Sequence, residues 1–164
     1  MPASKTPVAA RGQECHNGQG VAIASIRCNM SNELDLTSLT NALASLRRGL
    51  ARYALAPADE ELRDACIQRF EYCFELSWKM LLRRLELDLP NPGSLDAMSY
   101  RDLIRTGAER GLIADSSAWM LYRDKRNTTS HTYNANKAAA VAEIIPAFEA
   151  DALSLLIALQ KAGG

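Results

Sequence analysis

The chain has 164 residues, 48% of them hydrophobic and 6% aromatic, with 19 basic and 19 acidic side chains. That length predicts one domain able to bury a sizeable core. The cancelling charges exclude nucleic-acid binding by a global field, and no stretch is apolar for long enough to span a membrane; any RNA contact must be local, and the expected location is the cytoplasm.

Residues 1–29 carry Gly, Pro, Ala, Ser and Gln with no sustained period, which predicts a disordered arm. Within it, "VAIASI" is too short for a secretory core and Arg27 follows directly. Cys15, His16 and Cys28 stand at no recognised zinc spacing, so no metal is expected there. Met30 opens "MSNELDLTSL", which reads as a natural start, and residues 30–164 form the expected domain, with 16 basic against 18 acidic residues.

The first helix is predicted over about residues 36–55, with Asp35 as its cap. Leu36, Leu39, Leu43, Leu46, Leu50 and Tyr53 recur at three and four residues and give one apolar stripe. Pro57 breaks the chain. A second, longest helix runs from near Asp59 to about Leu87, with Leu62, Cys66, Phe70, Cys73, Phe74, Trp78, Leu81 and Leu85 as its main stripe. Ile67, Leu76, Met80 and Leu82 widen that stripe, and a helix apolar over so much of its circumference is expected to be central. Cys66 and Cys73, seven apart on one face, read as small buried hydrophobes and not as a disulfide framework.

"LPNPGS" (residues 89–94) is a loop. Ser99, with Asp102 three residues on, predicts the start of a third helix, Leu103 and Ile104 facing inward and Gly111 ending it. A fourth helix starts near Asp115 or Ser116, with Trp119, Met120 and Tyr122 on its buried side, and weakens at Asn127. Asn134 caps a fifth, from Ala135 to about Gln160, whose stripe includes Val141, Ile144, Ile145, Phe148, Leu155, Leu156 and Leu159 and which Pro146 must kink. No β-hairpin signal interrupts these patterns. The expected fold is all-α, an antiparallel four- to five-helix bundle.

The chemistry concentrates in "RDKRNTTSHTYN" (residues 123–134). Asn127, Thr128, Thr129 and Ser130 carry side chains that compete with the backbone for hydrogen bonds and so weaken a helix. On a continuous helix Arg126 and His131 would diverge by about 140°. If the helix ends near Thr128, the chain can curl and bring both side chains together. A guanidinium binds phosphate oxygens bidentately and an imidazole moves a proton near neutral pH, a pairing suited to phosphate chemistry. A histidine beside a helix end is also a common structural residue, and spacing alone does not separate the two. Arg123 and Lys125 add local positive potential and Asp124 subtracts from it; an ordinary solvated helix face explains these three as well. Glu71 and Glu75, four apart on the second helix, lie on one side of it, where they either orient Arg or His or make surface pairs; surface pairs are the expectation.

"RNTTSHTY" resembles the Arg-x4–6-His motif of the HEPN superfamily, in the variant whose His is followed by x-Tyr. "QRFEYCFELSWKMLLRRL" resembles the phenylalanine- and tryptophan-rich second helix of one branch, the nucleotidyltransferase substrate-binding proteins related to HepT toxins. "SYRDLIRTGAERGLI" and Trp119 follow in that branch's order, so the resemblance covers about residues 36–159. It implies a dimerising helical bundle in which the Arg-His motifs of two subunits face a shared cleft, and a partner that is a minimal nucleotidyltransferase. In HepT-type pairs the helical protein is a metal-independent ribonuclease toxin, and the partner silences it by transferring AMP to the motif tyrosine, here Tyr133.

RNA cleavage without metal needs a base for the 2′-hydroxyl, an acid for the leaving oxygen and stabilisation of charge on phosphorus. On the resemblance, His131 is assigned to proton transfer, Arg126 to the phosphate, and Asn127 to orienting backbone or ribose. Arg123 and Lys125 are the expected RNA or phosphate contacts. One chain supplies one well-placed His, so the site is expected to be composite across a homodimer, with no cofactor. The other reading is a non-catalytic subunit that docks on the transferase and helps bind its nucleotide or acceptor; the family's description as substrate-binding rests on likeness to the helical domain of kanamycin nucleotidyltransferase.

Overall fold

A computed structural model describes residues 34–88, 98–129 and 134–163. The expected arm, the loop at 89–94, the Cys15, His16 and Cys28 group, His131 and Tyr133 lie outside them. Six helical segments occur among the described residues: α1 (Thr37–Leu55), α2 (Glu60–Asp88), α3 (Tyr100–Glu109), α4 (Ser116–Thr128), α5 (Ala135–Ala142) and α6 (Ile145–Gly163). The all-α antiparallel bundle read from periodicity is the fold, and none of these helices is long and apolar enough to cross a membrane.

Short polar side chains set most helix starts. The Asp59 carboxylate accepts from Leu62 N–H at 3.0 Å. Ser99 Oγ accepts from Asp102 N–H and donates to the Asp102 carboxylate, and Asp115 accepts from the amides of Ser117 and Ala118. Asn134 Oδ1 accepts from the amides of Asn136 and Lys137. Each satisfies amides that no preceding turn can reach. Asp35 acts one position further out than expected: it accepts from Thr37 N–H while Leu36 occupies the cap position. Gly111, at φ 73°, closes α3 in the left-handed region that other residues resist.

α2 packs against all five other helices and forms the centre of the bundle. Phe70, Cys73, Phe74, Leu81 and Leu85 are fully or almost fully buried on it, facing Leu39, Leu43 and Leu46 of α1 and Phe148, Leu155 and Leu159 of α6. The Phe148 ring sits edge-on to Phe70 at 4.9 Å and to Tyr122 at 5.3 Å, with Trp119 and Phe74 completing an aromatic cluster. Cys66 and Cys73 are buried free thiols, and burial pushes the Cys73 thiol up to about 12.

Three expectations shift. The predicted fifth helix is broken in two at Glu143–Ile144, one turn before Pro146, because a proline ring clashes with the carbonyl four residues back and leaves it without a donor. Met120 is only half-buried, whereas Trp119 and Tyr122 are core. Trp78, read as part of the main stripe, is half-buried at its edge.

Candidate functional site

The last turn of α4 is held by its own polar side chains. Thr128 Oγ1 donates to Asp124 O at 2.9 Å, and Thr129 Oγ1 lies 2.6 Å from Arg126 O. Thr129, buried, also shares a hydrogen bond with the Glu71 carboxylate of α2, which is 58 residues away in sequence. The competition between side chain and backbone read from the sequence therefore ends α4 where expected, and α2 anchors that end.

Beside this end lies an open cleft of about 550 Å³ between α2, α3 and α4. Arg123, Arg126 and Asn127 line it from α4; Phe74, Glu75 and Trp78 line it from α2; Tyr100 and Leu103 from α3. Arg123 and Arg126 are three apart, so they share a face. The Arg123 guanidinium stacks over the Tyr100 ring, 4.7 Å from its centre. Burial pushes the Tyr100 phenol up, with the Arg123 charge opposing, so it stays protonated. Of the residues predicted from sequence, Arg123, Arg126 and Asn127 meet at the cleft, while Lys125 is not among the residues that line it.

Glu71 and Glu75 do more than make surface pairs. Glu75 does pair with Lys79 at 3.0 Å, but it also accepts from Trp78 Nε1 at 3.0 Å and faces the cleft. Partial burial pushes its carboxyl up; hydrogen bonds from Trp78 and Lys79 and the charges of Lys79 and Arg126 outweigh this and hold it below its ordinary value. Trp78 and Tyr100 escaped the sequence reading as site residues, and Glu75 was expected in surface pairs, because only tertiary packing brings three helices to one mouth. The available signal was a tryptophan at the stripe's edge with a glutamate three residues before it.

Two guanidiniums, one carboxylate and a partly aromatic floor can hold a phosphate beside a planar group. The sequence model of the family described as "Nucleotidyltransferase substrate binding protein like" matches residues 34–161. A Haemophilus influenzae protein described as a probable ribonuclease HepT is 36% identical over 140 residues, covering 80% of this chain and 96% of that protein. A solved Haemophilus influenzae structure, described as revealing the fold of a substrate-binding domain of a nucleotidyltransferase, is similar with a TM-score of 0.74 and 35% identity, covering 77% of this chain and 99% of that one. A crystal structure from Thermus thermophilus is similar with a TM-score of 0.63 and 32% identity, covering 74% and 98% respectively.

Proposed function

The chain belongs to the family of nucleotidyltransferase substrate-binding-like proteins, and from that premise we propose that it is a metal-independent ribonuclease toxin whose partner is a minimal nucleotidyltransferase. The observation that carries the reading is Arg126 standing exposed on the cleft, in the last turn of α4, in a chain that keeps the order Arg-x4-His-x-Tyr. The 36% identity to a protein described as a probable ribonuclease supports it.

In this reading Arg126 holds the scissile phosphate and Asn127 orients the ribose. His131 takes the proton of the 2′-hydroxyl, whose oxygen attacks phosphorus while the 5′-oxygen leaves with a proton from the second subunit's histidine. Two copies are needed because each brings one imidazole to the motif, so the active species is a homodimer in the cytoplasm. Arg123 and Lys125 contribute positive potential to the RNA path. Silencing follows when the transferase moves AMP from ATP to Tyr133: the phenol oxygen attacks the α-phosphorus, pyrophosphate leaves, and the added bulk and charge repel RNA.

The purified chain, without its partner, is expected to cut RNA in EDTA and leave 2′,3′-cyclic phosphate ends. His131→Ala should abolish this, and sedimentation should show a dimer. Intact RNA with the dimer verified refutes the nuclease. Tyr133→Phe modified as fully as wild type refutes the acceptor assignment.

The aromatic, partly acidic cleft favours a second reading, a non-catalytic subunit that binds the transferase's nucleotide or acceptor. Trp78 and Tyr100 suit a nucleoside, and Glu75 disfavours a bare polyanion. Saturable ATP binding with no cleavage of RNA would select it.

A further inference from the structure

α1 carries Arg47, Arg48 and Arg52 and no acidic residue over its whole length. Arg47 turns to α6 and pairs with Glu149 at 2.8 Å. Arg48 and Arg52, one turn apart, instead line a pocket of about 270 Å³ between α1 and α2, together with Ser45, Gly49 and Arg69. Among the described residues no carboxylate pairs with Arg48, Arg52 or Arg69.

The pocket is built around Arg69. Its Nε donates to Ser45 Oγ at 3.3 Å, and the guanidinium lies so close over Gly49 that a Cβ there would stand 3.0 Å from Nη1. A glycine in the middle of a helix costs about 1 kcal/mol against alanine, and here it makes room for a charge. Tyr72, exposed, brings its hydroxyl to 3.5 Å from the same Ser45 oxygen, which puts an aromatic ring at the rim.

We infer that this pocket binds the phosphodiester backbone of single-stranded RNA, at a site separate from the cleft. Arg69 and Trp78 are nine residues apart on α2, half a turn out of phase, so pocket and cleft lie on opposite sides of that helix. Three arginines are planar forks suited to bidentate phosphate contacts, and the ring at the rim offers a stacking surface of the kind single strands use. A chain with no net charge must take its phosphate contacts from such local clusters. The naming of RNA rests on the proposed function, but the site does not require that RNA be cut there.

The test is anisotropy of a labelled, fully 2′-O-methylated RNA, which cannot be cleaved, on the whole chain between 50 and 200 mM KCl. Replacing both exposed arginines, Arg48→Gln with Arg52→Gln, removes two phosphate contacts. The slope of log affinity against log salt should fall by about 1.4, so wild type loses about sevenfold more affinity than the variant across that range. Arg48→Lys with Arg52→Lys keeps the charge and should keep the slope. An unchanged slope in the glutamine variant, at equal helix content, overturns the site. So does loss of a complex with the transferase in place of the slope change, which would make the patch a protein-docking surface. Displacement of the probe from wild type by ATP, but not from the variant, overturns RNA in favour of free nucleotide phosphates. A chain that never cuts RNA yet shows the slope change refutes the nuclease and leaves this site standing; a chain that cuts RNA with the slope unchanged does the reverse.

Discussion

Thr129→Val is the sharpest probe of how the site is held. Valine matches threonine in shape, so the change deletes one hydroxyl and adds no cavity. That hydroxyl serves the Glu71 carboxylate and Arg126 O with a single proton, so the two contacts do not add. A hydrogen bond to a charged group contributes about 1.5–3 kcal/mol when its loss strands a buried acceptor; Glu71 is half-buried, which places the cost near the lower end, about 1.5 kcal/mol. For a domain of this size that lowers Tm by roughly 5 °C. Urea denaturation followed by helix ellipticity reads it directly, and Thr129→Ser should recover most of the loss. A cycle with Glu71→Ala should show a coupling of about 1 kcal/mol, since each substitution removes the same bond. Amide exchange at Asn127, Thr128 and Thr129 should quicken in the valine variant, because α4 loses its anchor to α2. A stability change within about 0.3 kcal/mol, or additive single effects, would refute the claim that Glu71 anchors the end of α4.

Gly107→Ala should destabilise the fold despite alanine's better helix propensity. Its Cβ would meet both Leu81 methyls at 3.1 Å and Ile113 Cδ1 at 3.3 Å, and overpacking of about 1–3 kcal/mol outweighs a gain of about 1 kcal/mol, a net loss a thermal melt will show. Stability should fall as pH rises from 9.0 toward about 12, because the buried Cys73 thiol keeps its proton in the folded state after the unfolded chain has lost it. Burial acts in the same direction on the phenols of Tyr100 and Tyr122, and for Tyr122 the bond to Asp151 adds to it. Cys73→Ala should flatten the fall between pH 9 and 10, and equal slopes would refute that origin. Under the nuclease reading, Glu75→Gln should lower KM for RNA several-fold: it removes a negative charge from the cleft, and Glu75 bonds Trp78 and Lys79, not Arg126. Because the carboxyl is held below its ordinary 4.5, the difference should persist at pH 5.

What the sequence made legible was local or periodic. Asp59, Ser99, Asp115 and Asn134 cap helices through amides two or three residues away, so a short window contains all the chemistry. The stripe of Leu39, Leu43 and Leu46 needs only a helix period to be recognised, and all three are buried. Pro146 was legible as a kink but not as a full break, because the apolar period runs straight through it while the cost of the ring falls on a carbonyl one turn earlier. The same distinction divides the site. Arg123, Arg126 and Asn127 share one turn of one helix and were readable together. The Glu71–Thr129 bond and the meeting of Trp78, Tyr100 and Arg123 join residues far apart in the chain, and no window of sequence contains them.

The cleft and the arginine pocket are geometrically linked, because both lie against faces of α2. Over 29 residues, about 43 Å, this helix presents Glu75 and Trp78 to the cleft, Glu71 to Thr129 at the end of α4 and Arg69 to the arginine pocket, and buries Phe70, Cys73, Ser77 and Leu81 between them. The rotation of α2 about its axis is therefore set by the core, and any change there turns both faces together. Ser77, fully buried, has met its own hydrogen-bonding need by donating to Cys73 O at 2.8 Å, so it does not pull the helix toward another phase. A basic groove on one side and a half-acidic, aromatic cleft on the other follow from where charge falls on a single helical wheel. Under the two proposals, that arrangement would give a chain without net charge both a grip on a polyanion and a site selective for what lies within it.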